Sequence, residues 1–231
     1  MMVLIIVAAS RISMSVMNRR VEAGRPGNTH GEPVYLARPP RRKLAVFAVV
    51  LCTIVEFVMG YNAITGWTAL AAGAAMFNLL NDWHVGRPLF SRWALMLYAS
   101  YWLLALGYAV MGLAWLGAPV TVAAGRHLLM AGAMALSILT VMNIAGRIHA
   151  GRWLDRRVWL PLAATAVVMA ALLRAMSGMG AMAAYAPTLW LMSGTLWTVV
   201  FVVYLWYAVP VLVGPRTDGL EGCAEPVTGA V

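Results

Sequence analysis

Six long apolar stretches constrain the fold of this chain more than any other feature of its sequence. Each stretch approaches or exceeds the ~20 residues with which an α-helix crosses a ~30 Å hydrocarbon layer. A chain of 231 residues that is 62% hydrophobic and only 11% charged is atypical of a soluble domain. Because lipid offers the backbone no hydrogen-bond partners, the stretches are predicted to be helices. We therefore predict an all-α, polytopic transmembrane bundle whose six full helices lie within 44–61, 63–80, 93–115, 119–145, 158–176 and 188–213.

The basic residues between the stretches alternate from one side to the other. The positive-inside rule places loops rich in Lys and Arg in the cytoplasm, so the C-terminus is also predicted to be cytoplasmic. The net charge of +9 then reflects membrane topology. A nucleic-acid partner is not expected, since that function needs a clustered basic face on a soluble domain. The basic segments are 18–43, 81–92, 147–157 and the tail with Arg216, and the turns without Lys or Arg lie near Asn62, Gly117 and 177–187.

The first 17 residues form an apolar run that contains Arg11 and leads into Arg19 and Arg20. A signal peptide has the opposite order, with its basic residues before the apolar run. We therefore interpret this segment as the cytoplasmic end of a truncated transmembrane helix. The predicted organisation is a helix stub over 1–17, a cytoplasmic basic loop over 18–43, a six-helix transmembrane domain over 44–213 and a cytoplasmic tail over 214–231.

Four polar side chains are predicted to lie in the outer half of the membrane at similar depth, about 7 Å for Glu56 and about 11 Å for Arg126 and His127. They are Glu56, Arg126, His127 and Arg174. Ionisable residues are costly in lipid and are functional candidates by default. We predict an intramembrane polar cluster of Glu56, Arg126 and Arg174, in which Glu56 pairs with one arginine and His127 remains available as a ligand or proton carrier. The alternative is that Arg174 extends to the outer surface and Glu56 is protonated.

A second histidine, His149, lies at the cytoplasmic end of the helical stretch that contains His127. Their 22-residue separation corresponds to about 33 Å of helix. Because metal–nitrogen bonds are only about 2 Å long, the two rings are not expected to bind one metal ion. If both are metal ligands, they belong to separate sites on opposite sides of the membrane. The alternative for His149 is an interfacial ring bonded to headgroups or loop carbonyls.

Three methionines recur at every third position at the outer end of a helix: Met176, Met179 and Met182. Thioether sulfurs at such a spacing are candidate contacts for Cu(I). Gly178 and Gly180 disfavour a stiff helix there, so an ordinary loop is the alternative.

Two histidine-containing segments resemble the NnrS family of membrane proteins. In that family a His precedes a helix of small residues and a Val-Met pair, and a Gly-His-Thr-Gly-Arg motif follows. Here His127 precedes the small-residue helix, Val141-Met142 is the pair, and His149-Ala150-Gly151-Arg152 follows at the same spacing. The chain end Pro215-Arg216-Thr217-Asp218-Gly219 is similar to the family's closing Pro-Arg-x-Asp-Gly motif.

The resemblance implies a bacterial inner-membrane protein that contains haem and copper and is linked to the response to nitric oxide. It implies that His127 and His149 are the metal-binding histidines. Members have about twelve transmembrane helices, whereas this chain has six predicted ones. An N-terminal half encoded elsewhere, or a second copy of the chain, is therefore an expected partner besides the lipid bilayer.

No motif indicates the turnover of a dedicated substrate, so the chain is not expected to be an enzyme in the usual sense. Two other functions remain open. One is a permease-like module that uses the intramembrane polar cluster for proton or anion coupling. The other is an inactive half-length fragment.

Overall fold

The computed structural model describes residues 1–10, 39–84, 87–216 and Gly219. Within these residues the chain is helical, and no β-strand occurs. Most of the predicted loop over 18–43 and of the predicted tail over 214–231 lies outside the described residues. The helices are α1 (2–10), α2 (Pro39–Met59), α3 (Ala63–Leu80), α4 (Arg92–Trp115), α5 (Val122–His127), α6 (Ala135–His149), α7 (Trp159–Met176) and α8 (Ala186–Val213).

Five helices of the described chain are long and apolar enough to cross a membrane. This confirms the prediction of an all-α bundle of membrane-spanning helices. The sixth predicted crossing, 44–61, falls largely within α2, which also contains Arg41, Arg42, Lys43 and Glu56. Because of those charges, α2 is less apolar than the others, and its crossing stays a prediction. The five spans are Ala63–Trp83, Arg92–Trp115, Val122–His149, Trp159–Met176 and Gly180–Val213.

Helix α4 occupies the centre of the bundle and approaches its neighbours closely at glycines. A Cβ added to Gly112 would lie 2.8 Å from the carbonyl oxygen of Gly66 in α3. A Cβ added to Gly125 of α5 would lie 2.6 Å from the carbonyl oxygen of Gly107. Small residues allow this close backbone packing, on which helix association in lipid depends. The contact between Gly107 and Gly125 fixes the position of α5, and with it that of the following residues Arg126 and His127.

The span Val122–His149 changes helix type immediately after His127. Residues Leu128–Met134 form a π-helical segment between α5 and α6. Such segments carry i→i+5 hydrogen bonds and are frequent at functional sites. The backbone nevertheless continues as one helix from Val122 to His149.

The predicted helix stub begins with α1, which packs into the bundle. Ile6 and Ala9 are buried. The hydroxyl of Tyr101 in α4 donates a hydrogen bond to the carbonyl oxygen of Ile6 over 3.3 Å. The rest of the predicted stub, 11–17, lies outside the described residues.

Two turns pair with each other at the predicted external end of the bundle. The backbone N–H of Thr121 donates to the carbonyl oxygen of Gly178 over 2.9 Å, and that of Gly180 donates to Pro119 over 3.2 Å. A single antiparallel bridge joins Val120 to Met179. These bonds hold the start of α5 against the end of α7, so Arg174 lies near His127.

Candidate functional site

The intramembrane polar cluster begins with an ion pair between α2 and α5. The Nη2 atom of Arg126 lies 2.5 Å from Oε1 of Glu56. Glu56 lies three residues before the end of α2 at Met59. The side chain of Arg126 is 58% exposed and that of Glu56 is 28% exposed, so the pair lies at the surface of the protein. Of the two arginines proposed as partners of Glu56, Arg126 is the one that contacts it.

The other arginine of the cluster, Arg174, contacts His127. Its Nε–H donates a hydrogen bond to Nε2 of His127 over 3.3 Å. A guanidinium group has only donors, so the Nε2 atom of His127 is the acceptor and carries no proton. The His127 ring is therefore neutral in this arrangement, with its proton on Nδ1.

Trp190 of α8 contacts Arg174 directly and also through Ser177. The guanidinium carbon lies 5.1 Å from the centre of the Trp190 ring, which is a cation–π distance. The indole N–H of Trp190 donates to Oγ of Ser177 over 2.8 Å. Ser177 in turn donates to the carbonyl oxygen of Arg174 over 2.7 Å. Sequence reasoning missed Trp190 and Ser177, because both are ordinary residues near a helix end until α7 and α8 are placed side by side.

The cluster therefore consists of two adjacent pairs joined by the peptide bond between Arg126 and His127. It contains two guanidinium groups and only one carboxylate, which contacts Arg126 alone, so the described site carries an excess positive charge when His127 is neutral. Such a site attracts anions and offers one proton acceptor, the Nε2 atom of His127. This arrangement is suited to anion attraction or proton relay.

The structure does not bring the second candidate ligand, His149, near this cluster. His149 is exposed at the other end of the span, as the last residue of α6. At about 1.5 Å per residue, the continuous helix separates the two residues by about 33 Å along its axis. Of the remaining histidines, His84 lies 3.2 Å from the hydroxyl of Tyr98, and His30 lies outside the described residues.

The three methionines occupy three different local structures. Met176 ends α7, Met179 forms the bridge to Val120, and Met182 lies in the 3-10 helix Gly180–Tyr185. The segment is therefore a structured turn. Across the described parts of the chain, no group of three His, Cys, Asp or Glu side chains is placed to hold a metal ion.

A second polar centre, which sequence reasoning did not single out, lies at the predicted cytoplasmic end around Asp155. This buried carboxylate accepts hydrogen bonds from the backbone N–H of Arg157 and the indole N–H of Trp159. Arg147 and Arg157 each place a guanidinium nitrogen 3.7 Å from it. Burial alone raises the pKa of Asp155, but the two hydrogen bonds and the two cations outweigh it, so the pKa lies below its ordinary value.

Comparison with known proteins identifies the family. Neither a search of curated proteins nor a search of solved structures found a match to this chain. The model of the family described as "NnrS protein" matches residues 1–216. That range contains every residue of the intramembrane polar cluster, together with His127 and His149. The chain belongs to the NnrS family.

Proposed function

We propose that this chain is an inner-membrane protein of the response to nitric oxide. The family match over residues 1–216 carries this proposal. Five helices suited to crossing a membrane support a location in the bilayer. The cluster around His127 is the proposed functional site, because it places ionisable side chains at the end of membrane-spanning helices, where they are costly and functional by default.

The described residues fit one of the two cofactors implied by the family better than the other. A protein-bound copper ion needs several ligands, and the nearest polar partner of the His127 ring is the cation Arg174. The residues around His127 therefore do not make a complete copper site. A haem iron needs only one or two ligands from the protein, and His127 would offer one imidazole. When bound, a haem would supply an iron atom for binding small diatomic molecules.

The protein's own residues then have defined roles. His127 would hold a haem iron through Nε2, the nitrogen that accepts the hydrogen bond from Arg174 in this structure. Arg174 and Arg126 are positioned to attract anionic groups of a bound cofactor. Glu56 keeps Arg126 in place. His149 is the proposed ligand of a separate, interfacial site, and the Met176, Met179 and Met182 turn stays a proposed Cu(I) contact.

Cofactor content tests this proposal. Haem absorbance and copper would be measured in the purified full chain and in His127→Ala and His149→Ala variants. We expect the haem band to disappear in His127→Ala and to persist in His149→Ala. Loss of one and the same cofactor in both variants would contradict separate sites. Unchanged content in both would show that neither histidine is a ligand.

A permease-like proton or anion relay is the second candidate, favoured by the exposed Glu56–Arg126 pair. It requires colourless purified protein and a pH-dependent flux into liposomes that disappears in Glu56→Gln. Coloured protein without flux would exclude it in favour of the first proposal.

A further partner is also proposed, either a second copy of the chain or a separate N-terminal half. Only 17% of the apolar window of the last span is buried, compared with 61% for Arg92–Trp115. The outer face of α8 is thus free to contact lipid or another helix bundle. Crosslinking from Leu191, which is 72% exposed, tests for such a neighbour. An inactive fragment is expected to give neither cofactor, flux nor crosslink.

A further inference from the structure

Two arginines from outside the α6–α7 loop (residues 150–158), one in α6 and one in α4, donate hydrogen bonds to its backbone. Arg147 of α6 donates from Nε to the carbonyl oxygen of Trp153 over 2.7 Å. Arg92 of α4 donates from Nη1 to the carbonyl oxygen of Arg157 over 2.9 Å. The second residue of the loop, Gly151, has a φ of 69°, which favours glycine. The side chains that the loop presents outward are therefore set by the fold.

Most of the positive charge of this loop is uncompensated. Its one acidic residue, Asp155, is buried and bonded to Arg147, Arg157 and Trp159. Among the described residues, Arg152 and Arg156 have no carboxylate within ion-pair distance. Arg156 is exposed. Arg157 keeps 58% of its side chain exposed although it lies over the ring of Tyr207.

Exposed apolar residues alternate with these arginines. Trp153 is 44% exposed and Val158 is 67% exposed. The neighbouring end of α8 adds Leu212, 49% exposed, which lines a cleft shared with Arg147 and Asp155. That cleft is narrow, with a volume of about 10 Å³, so a lipid headgroup is expected to bind on the surface of the loop.

The position of the loop along the bundle axis explains why exposed arginines and exposed apolar side chains occur together. It joins the end of α6 to the start of α7, and Arg92 at the start of α4 contacts it directly. The loop therefore lies where the helices leave the hydrocarbon layer, at the depth of lipid headgroups. Tryptophan is the residue typical of this interface. A ligand complementary to this surface has an anionic group for the arginines and an apolar part for the neighbouring apolar side chains.

We propose that the α6–α7 loop is a binding site for the headgroup of an anionic phospholipid. Arg152, Arg156 and Arg157 contact the phosphodiester, and Trp153 and Leu212 contact the glycerol and the upper acyl chains. Basic clusters at the membrane surface recognise anionic lipids through this combination of charge and apolar contact. The site is separate from the cluster around His127, so it does not depend on a haem bound there.

Lipid retention by the purified full chain tests the proposal. The protein would be exchanged from detergent into vesicles of equal phosphatidylglycerol and phosphatidylcholine content, re-extracted, and its bound lipids measured by native mass spectrometry. We expect phosphatidylglycerol to be enriched. The double variant Arg152→Gln/Arg156→Gln should weaken its binding by about tenfold or more, since each arginine near an anionic surface contributes several-fold in affinity.

A matched control removes the same charge from the same end of the bundle. Arg42→Gln/Lys43→Gln changes α2, which reaches this end through the ion pair between Arg41 and Asp82. The control should retain phosphatidylglycerol as the unmodified chain does. Equal losses in both variants, or equal retention of the two lipids by the unmodified chain, would overturn the proposal. So would displacement of the lipid by inorganic phosphate at matched concentration, which would identify a site for a free anion.

Discussion

Arg174 donates its Nε–H to Nε2 of His127, and this single bond determines how the ring can react. The lone pair that a metal ion or a proton needs is the one that Arg174 already contacts. The Nδ1 atom carries the proton, because Arg174 has no lone pair to offer in exchange. Access to His127 is therefore controlled by a residue of α7, the helix that Trp190 holds from the other side.

The protonated nitrogen of His127 can be observed directly. In protein labelled with 15N-histidine, His127 should give the signal of an Nδ1–H tautomer at neutral pH. The chain has four histidines, so the His127→Ala variant assigns the signal. Arg174→Leu should remove the preference of His127 for the Nδ1–H tautomer and give a mixture of the two tautomers. An Nε2–H signal in the unmodified protein would contradict the contact.

The ion pair between Glu56 and Arg126 should appear as coupling between the two sites. Glu56→Gln leaves a cation unpaired, so we expect less folded protein in the membrane, and Arg126→Gln should restore part of it. The coupling free energy is expected to be about 0.5–3 kcal/mol, the range for residues in contact. Urea or thermal unfolding in detergent measures it.

Arg174 provides the control for that cycle, because it contacts His127 and not Glu56. Glu56→Gln and Arg174→Gln should have additive effects on the free energy of unfolding. Coupling of Glu56 to Arg174 as large as its coupling to Arg126 would show that the cluster acts as one network.

Asp155 should make stability depend on acid pH. Its pKa is lower in the folded protein than in the unfolded chain, so the ionised carboxylate stabilises the fold. This stabilisation is complete above the unfolded-state pKa of about 3.9 and is lost as the pH falls through the lower folded-state value. Asp155→Asn should cost about 1–3 kcal/mol at neutral pH. The difference should shrink as acid is added; a constant difference would exclude linkage to this carboxyl group.

The helix contact at Gly125 should not tolerate a methyl group. A Cβ there would lie 2.5 Å from Cγ of Met111 and 2.6 Å from the carbonyl oxygen of Gly107. Gly125→Ala is expected to destabilise the protein by about 1–3 kcal/mol, as measured by thermal unfolding in detergent. Gly194→Ala is the control, since nothing lies within 4 Å of its added Cβ. Equal effects would mean that helix packing at Gly107 is not tight.

Reporter fusions measure the orientation of the helices in the membrane. Reporter fusions ending at Gly27, Ala150 and Gly222 should behave as cytoplasmic, and fusions at Gly117 and Ala184 as external. Reversed signals at any two of these positions would invert the predicted orientation of the helices.

The helices could be predicted from the sequence because lipid leaves an apolar backbone few alternatives to helix. The partner of Glu56 could not be predicted in this way. Arg126 and Arg174 were equally plausible from depth alone, and the choice depends on which faces of α2, α5 and α7 meet. The role of Asp155 could not be predicted from the sequence either. Its burial arises from a loop shape that depends on Arg92 and Arg147, which are distant from each other along the chain.

The π-helical segment Leu128–Met134 has one further consequence, for the direction in which His149 points. Each residue of an α-helix turns the chain by about 100°. A wide turn with i→i+5 bonds accommodates an additional residue, so everything beyond it is rotated relative to a regular helix. A helical wheel drawn from His127 therefore assigns the wrong azimuth to Asn143, Arg147 and His149. Without the wide turn, a different side of α6 would face α8.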